Sequence, residues 1–327
     1  MIIERLRGPS VAAPFPVYAG LSDELAGAHV SDTSIRHATV AHVLGVCAGY
    51  SYADAQTVAM MTSRLGLEAN ATVRIGQVVD AMTIFSTAYI VQSNCGRVVI
   101  LSYRGTEPAN LGNWLTDTDI GSVSMKCGNE SLRVHAGFYR NVRATRWQVI
   151  EELRKAACGK SLLDAADVEH RMQALYITGH SLGGAMAVLF ALSIACDELW
   201  DRVRAIYTFG QPLTVGDVLP ETVRCVAAKT LRHINARDLI PALPAAAWGR
   251  LTHFGDEYRR VDGEWKRADT PVAQLANMRE IPRSIFAAFE NPSRKKLSRY
   301  SMADHRPHEY IAALRPAGRL SELGDDV

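Results

Sequence analysis

The apolar positions change period along the chain, and each change predicts an element. Between residues 21 and 70 they recur every three or four residues. In DTSIRHATVAHVLGVCAGY, residues Ile35, Val40, Val43, Leu44 and Cys47 keep helical spacing, with Asp32, Thr33 or Ser34 available as caps. ADAQTVAMMTSRLGL follows as a second helix that stops at Gly66. The pattern then turns strand-like. TIFSTAYIVQS and RVVILSYRG flank Asn94-Cys95-Gly96, a hairpin signal. VHAGFYRNVRATRWQVIEELRKAA opens as a short strand or turn and continues as a long helix. QALYITG reads as a strand, LGGAMAVLFALSIAC as a helix, VRAIYTFG as a strand, ETVRCVAA as a helix and TLRHIN as a strand. This alternation predicts an α/β fold with a central, mostly parallel sheet and helices on both faces.

A chain of 327 residues, 48% hydrophobic and 21% charged, has enough apolar surface for one large core without disulfides or metal. The expectation is a single domain over 1–327, with a helical segment over 1–75 packed on it and a variable insertion over 263–300. That insertion carries Arg294, Lys295, Lys296 and Arg299. Such a cluster reads as a solvated helix surface, or else as an anionic membrane contact or a cap over a site. The net charge of +2 argues against nucleic acid as a partner. Leu175–Cys196 is apolar, but glycines crowd its start, and its helical part from Leu182 falls short of the roughly 20 residues a membrane span needs. The opening MIIERLRGPSVAAPFPVYAG has no continuous apolar region of the secretory kind, which points to a cytoplasmic protein or one exported by another route. The six cysteines form no CxxC pair and no zinc spacing. They read as isolated thiols, with a Cys95–Cys127 bridge as the alternative.

The chemistry centres on Gly179-His180-Ser181-Leu182-Gly183, between a buried strand and a buried helix. A strand, then Gly-x-Ser-x-Gly, then a helix is a nucleophile elbow. The serine stands on a tight turn, the glycines let strand and helix approach, and the helix N-terminus aims free N–H groups at the reacting centre. The same turn could serve as a phosphate cradle, but the P-loop lysine and the GxGxxG spacing are both missing.

Serine at its ordinary pKa needs a base, and the base needs an orienting carboxylate, in the chain order Ser, Asp or Glu, His. TLRHINARDLIPALP places Asp238 in the loop after a late strand, with Asp217 and Asp256 as weaker alternatives. SMADHRPHEYIAALR offers His305 and His308, and Ser301 with Asp304 suits a capping box there. A metal site of His305, His308 and Glu309 lacks the HExxH spacing and a third ligand. The remaining histidines, His180 among them, read as ordinary surface or core residues. An oxyanion would be met by the N–H of Leu182 and by Thr106, at the end of VVILSYRGT.

With these residues in place, the chain resembles the class 3 (fungal-type) triacylglycerol lipases of the α/β-hydrolase superfamily. SYRGT, NWLTD, VHAGFY, ITGHSLGGA, YTFGQPLTVGD, INARDLIPALP and DHRPHEYI occur in the family's order over about residues 97–312. The resemblance implies Ser181 as nucleophile, Asp238 as orienter, and Thr106 with Leu182 as oxyanion hole. Because the family sets its histidine after an aspartate and shortly before a tyrosine, it favours His305 over His308. It also implies a lid. PANLGNWL, with Asn110, Leu111, Asn113, Trp114 and Leu115 around a hinge at Gly112, would swing out at a lipid surface.

The expected reaction is hydrolysis of a lipid or small ester through an acyl-enzyme, with no cofactor and no metal. A lipase is favoured. A phospholipase A1, a short-chain carboxylesterase and a non-catalytic binding module of the same fold are the alternatives. A passing contact with a lipid interface is expected; oligomeric state is not legible.

Overall fold

The computed structural model describes residues 1–28, 35–105, 121–243, 251–268 and 301–325. A first strand, β1 (Ile2–Arg7), precedes helices α1 (Leu21–Gly27), α2 (Ile35–Tyr50) and α3 (Ala55–Leu65). Asp54 caps α3 by accepting the Thr57 N–H at 2.7 Å, and Gly66 closes it with its own N–H on Ser63 O and Thr62 O. Strands β2 (Ala71–Val79), β3 (Ile84–Gln92) and β4 (Val98–Tyr103) follow, then β5 (Ser122–Cys127), β6 (Glu130–His135) and the long helix α4 (Ala136–Ala157). Next come β7 (Ala174–His180), α5 (Leu182–Ser193), β8 (Val203–Phe209), β9 (Val215–Gly216), α6 (Glu221–Ala227) and β10 (Thr230–Ile234). The chain ends with β11 (Leu251–Thr252), β12 (Asp256–Val261), β13 (Glu264–Arg267) and α7 (Pro307–Leu314).

The main sheet runs β1-β2-β3-β4-β7-β8-β10-β12-β13. Its centre, β4 through β12, is parallel, and its two ends are antiparallel. A small second sheet, β11-β9-β6-β5, stands beside it. The central strands read as unbroken apolar runs because both faces are covered. In β4, Val98 and Ile100 join a core with Leu44, Leu65 and Ile311 on the α2, α3 and α7 side. Val99 and Leu101 join Phe138, Leu153, Met186 and Phe190 on the α4 and α5 side. Helix α5 is apolar all round because it is enclosed all round, with every residue from Leu182 to Leu192 buried. Among the described residues no helix is long and apolar enough to cross a membrane.

The hairpin around Asn94–Gly96 forms as expected, since β3 and β4 pair antiparallel. The segment 1–75 is not helical throughout. Ile2–Arg7 is the edge strand of the main sheet, paired with β2 from Ile2↔Gly76 to Arg7↔Ala71. The short, mostly exposed β1 lacks the buried alternation that marks a strand. The proposed caps at 32–34 lie outside the described residues, as does all of 263–300 beyond Ala268. The part that is described holds β13, an antiparallel edge strand on β12. A Cys95–Cys127 bridge is absent, and all six thiols are free. Cys95 sits in the β3–β4 turn, 3.2 Å from Ser22 Oγ, whereas Cys127 is buried at the end of β5 in the other sheet.

Burial keeps a set of core histidines neutral. It lowers His42 to about 3 and His135 to about 4, and it holds His180, His233 and His253 well below the ordinary value of 6.5. In the unfolded chain each would take up a proton near pH 6.5, so the unfolded state binds more protons as the pH falls. Stability should therefore be constant in these groups above about pH 6.5 and fall below it, by up to about 1.4 kcal/mol per pH unit for each histidine. Urea unfolding followed from pH 8 to pH 5 checks this; a midpoint that rises on acidification contradicts it.

Candidate active site

Ser181 stands between β7 and α5 with φ 58° and ψ −129°, a conformation costly for a residue with a Cβ. The turn is held because its N–H donates to Phe209 O at 2.8 Å and its carbonyl accepts the Gly184 N–H at 2.9 Å. The sharp bend demands close backbone approach. A Cβ on Gly179 would collide with the Gly183 backbone, and one on Gly183 with the carbonyl of Tyr103. The Ser181 side chain is buried, and its Oγ has no hydrogen-bond partner among the described residues. Leu182 opens the helix, so the first-turn N–H groups lie next to that hydroxyl.

Asp238 follows β10 and is fully buried. Its Oδ2 accepts from His305 Nδ1 at 2.8 Å and from the Tyr310 hydroxyl at 2.6 Å, and its Oδ1 accepts the Ile240 N–H at 2.9 Å. A carboxylate can only accept, so His305 carries its proton on Nδ1. In the neutral imidazole Nε2 is then a lone pair, and that atom too is buried without a partner among the described residues. This is the tautomer a general base requires.

Gly210 makes room for the assembly. It follows β8 at φ 61°, and a Cβ there would lie 2.7 Å from Asp238 Oδ2 and 2.8 Å from the His305 ring. Since the carbonyl of the preceding Phe209 holds the Ser181 N–H, the imidazole is brought beside the serine's backbone. The His305 and His180 rings are 4.5 Å apart, which fixes the same neighbourhood from the other side.

The segment bearing His305 is strapped to the β10 loop. Ser301 N–H donates to Arg237 O at 2.8 Å, Arg237 N–H to Asp304 Oδ2 at 3.1 Å, and Asn235 Nδ2 to Asp304 O at 3.1 Å. The capping box expected of Ser301 and Asp304 is half realised. Ser301 Oγ accepts the Asp304 N–H at 3.3 Å, but this bond falls at the 3-10 turn Ala303–His305, whose cap position is Met302, and α7 starts later, at Pro307. His308, the alternative base, is exposed and faces Glu309 at 3.4 Å, away from Asp238. Of the alternative acids, Asp217 is exposed and Asp256 pairs with Arg267 at 2.6 Å on β12. Thr106 and the lid positions Asn110, Leu111, Gly112, Asn113, Trp114 and Leu115 lie outside the described residues.

Two residues at this site were not assigned a part by sequence reasoning. Tyr310 had served only as a landmark for the histidine. Its hydroxyl, driven well above its usual pKa by burial and then by Asp238, stays a proton donor to that carboxylate. His180 had read as an ordinary core histidine. Its Nε2 donates to the His305 carbonyl at 2.6 Å, so its Nδ1 must accept from the Tyr52 hydroxyl, 2.9 Å away. The Tyr52 hydroxyl in turn occupies the space a Cβ on Gly105 would need, next to the start of the predicted oxyanion loop. Burial, then the neighbouring His305, keeps His180 neutral. The signal for such links is spatial, because Tyr52 and His180 lie 128 positions apart.

Residues 100–248 match the family described as Lipase (class 3). Over that stretch the chain is similar to the class 3 lipases. It is 27% identical over 215 residues to a triacylglycerol lipase of Ricinus communis, covering 54% of this chain and 40% of that one. It is 28% identical over 214 residues to a secreted mono- and diacylglycerol lipase of Fusarium solani, covering 64% and 57%. The chain thus spans about half the length of such relatives. Among solved structures, a lipase from Rhizopus microsporus var. chinensis superposes with a TM-score of 0.58 at 17% identity, covering 91% of this chain and 93% of that one. A triacylglycerol lipase whose catalytic centre is described as a serine protease triad superposes at 0.55 and 18% identity, covering 84% and 94%. The fold is the α/β-hydrolase fold of the fungal lipases.

Two substitutions probe the geometry. Tyr52→Phe leaves His180 Nδ1 buried without its donor and should cost about 1–3 kcal/mol in urea-unfolding stability. An unchanged midpoint would mean that the Tyr52–His180 bond contributes nothing. Gly210→Ala should displace the Asp238–His305 pair and slow any reaction that runs through Ser181 and His305 by the roughly hundredfold that misplacement by an ångström brings. Near-normal turnover in a folded Gly210→Ala protein contradicts this placement.

Proposed function

We propose that the chain is a carboxylic ester hydrolase that cleaves acylglycerols through Ser181, His305 and Asp238. The observation that carries this reading is a pair of buried atoms without partners among the described residues, Ser181 Oγ on a strained elbow and His305 Nε2 on an imidazole oriented by Asp238. Leaving two buried polar atoms unpaired costs stability, and such atoms concentrate where a substrate supplies the missing partner. The kinship with lipases supports the acyl-ester substrate class.

In this reading the Ser181 hydroxyl attacks the ester carbonyl as His305 Nε2 takes its proton. Asp238 stabilises the imidazolium, and Tyr310 and the Ile240 N–H keep the carboxylate in place while the charge develops. The oxyanion is met by the Leu182 N–H at the start of α5 and by Thr106. His305 then protonates the leaving alcohol, and water repeats the sequence on the acyl-enzyme. Loss of one oxyanion donor should cost about 10²–10³ in turnover. Residues 110–115 act as a lid that opens at a lipid surface.

A fluorophosphonate probe should label the protein at Ser181 and fail to label Ser181→Ala, which should also lose ester hydrolysis. Labelling at another residue, or hydrolysis undiminished in Ser181→Ala, would sink the proposal. A panel of soluble and emulsified triglycerides, phospholipids and nitrophenyl esters then separates a lipase from a phospholipase A1 or a short-chain esterase. Preference for emulsified triglyceride supports the lipase and its lid.

A further inference from the structure

Trp265 touches the two elements that hold the Asp238–His305 pair together. It lies on the edge strand β13, opposite Arg260 of β12, and in Glu264-Trp265-Lys266-Arg267 it alone is half-buried while its neighbours are exposed. Its indole N–H donates to the Ala313 carbonyl at 2.9 Å, in the last turn of α7. Its ring meets His233 of β10 edge-on, with centroids 5.1 Å apart and planes at 71°. It lies more nearly parallel to Tyr310 of α7, at 6.5 Å and 27°. The indole is thus wedged between the strand that leads into Asp238 and the helix that follows His305.

Helix α7 needs such a hold. At eight residues it is too short to persist on its own local bonds. Its last carbonyls have no intrahelical donors, and the chain leaves it at Arg315 in an extended conformation. Two faces of the helix are gripped from different directions. Ile311 and Leu314 press into α2 where Gly49 and Gly45 carry no side chain; a Cβ there would stand 2.6 Å from Ile311 Cδ1 and 2.7 Å from Leu314 Cδ1. Tyr310 and Ala313, which share a face at the same spacing, meet Trp265.

The placement of α7 fixes the Tyr310 hydroxyl. That group accepts the Asn235 N–H at 3.0 Å and donates to Asp238 Oδ2 at 2.6 Å, the oxygen that also accepts from His305 Nδ1 at 2.8 Å. Such bonds weaken steeply once distance and angle are lost. A helix that slides by about an ångström therefore loosens the carboxylate that orients the imidazole. We propose that Trp265 is a positioning residue for the Asp238–His305 pair, locking α7 against β10 so that Tyr310 keeps the carboxylate aimed at His305. It acts through Tyr310 and touches no reacting atom. The inference rests on the ester-hydrolase reading and deepens it, because it extends the support of the site out to the edge of the sheet.

The test compares the full-length protein with Trp265→Phe and Trp265→Leu. Phenylalanine keeps a ring beside Tyr310 and loses the bond to Ala313; leucine loses both. On a soluble nitrophenyl ester, kcat should fall about tenfold in Trp265→Phe and about a hundredfold in Trp265→Leu. KM should stay within about twofold, because the contacts of the indole are to α7 and β10. A second readout needs no activity. Proton NMR should show the His305 Nδ1 proton far downfield, absent in His305→Ala, and Trp265→Leu should broaden it as the bond to Asp238 loosens and exchange with water quickens. Urea unfolding identifies a variant that does not fold; should Trp265→Leu be one, Trp265→Phe decides. A lowered urea midpoint with kcat and the resonance of the folded variants as in the parent would overturn the proposal, since Trp265 would then serve stability alone. A raised KM at unchanged kcat would overturn it too. A parent protein that neither hydrolyses esters nor takes a fluorophosphonate at Ser181 would refute the hydrolase reading, and the resonance would still decide this one.

Discussion

The site depends on one buried carboxylate. Asp238 is fully enclosed, and an isolated charge there would be untenable. Three donors make it tolerable: the His305 imidazole, the Tyr310 hydroxyl and the Ile240 N–H. Two of the three come from the last described segment of the chain, more than 60 residues downstream. Satisfying this one charge therefore recruits the C-terminal segment to the β10 loop and sets the tautomer of His305. Breaking one donor bond would leave the others to hold a poorly compensated ion, which is why the arrangement is cooperative.

The elbow and the carboxylate meet through Gly210. Its positive φ and missing side chain let Asp238 and His305 come up against the end of β8, while the neighbouring Phe209 carbonyl grips the Ser181 N–H. Strain at Ser181 is sustained by rigid flanks, because β7 and α5 are buried on all sides. His180 adds a brace from the opposite direction, linking the His305 carbonyl to Tyr52 and thence to Gly105. The N-terminal helices, which contribute no reactive group, thus reach the site through Tyr52 and through the packing of α2 against α7.

Much of the fold was legible in the sequence because its signals are local. The two-sided burial of the central sheet writes itself as unbroken apolar runs in β4, β7 and β8, and full enclosure makes α5 apolar on every side. Edge elements were harder. Strand β1 is mostly exposed and pairs with residues about 70 positions away, so no alternation marks it. The Cys95–Cys127 bridge was compatible with spacing and fails in space, since the two thiols belong to different sheets.

By itself the sequence determined the elbow, the order of serine, aspartate and histidine, and the alternation of strands and helices, because each is encoded in a short stretch by residue type and period. Residue type alone left His305 and His308 as competitors, since both sit in one short turn with the same chemistry, and only the family resemblance favoured His305. Tertiary structure places them differently: the turn Ala303–His305 points one imidazole inward to Asp238, and Pro307 starts a helix that carries the other to the surface. The parts played by Tyr310, His180 and Tyr52 belong to the same level. Their hydrogen bonds join residues 72 and 128 positions apart, and only the folded chain brings such groups within 3 Å.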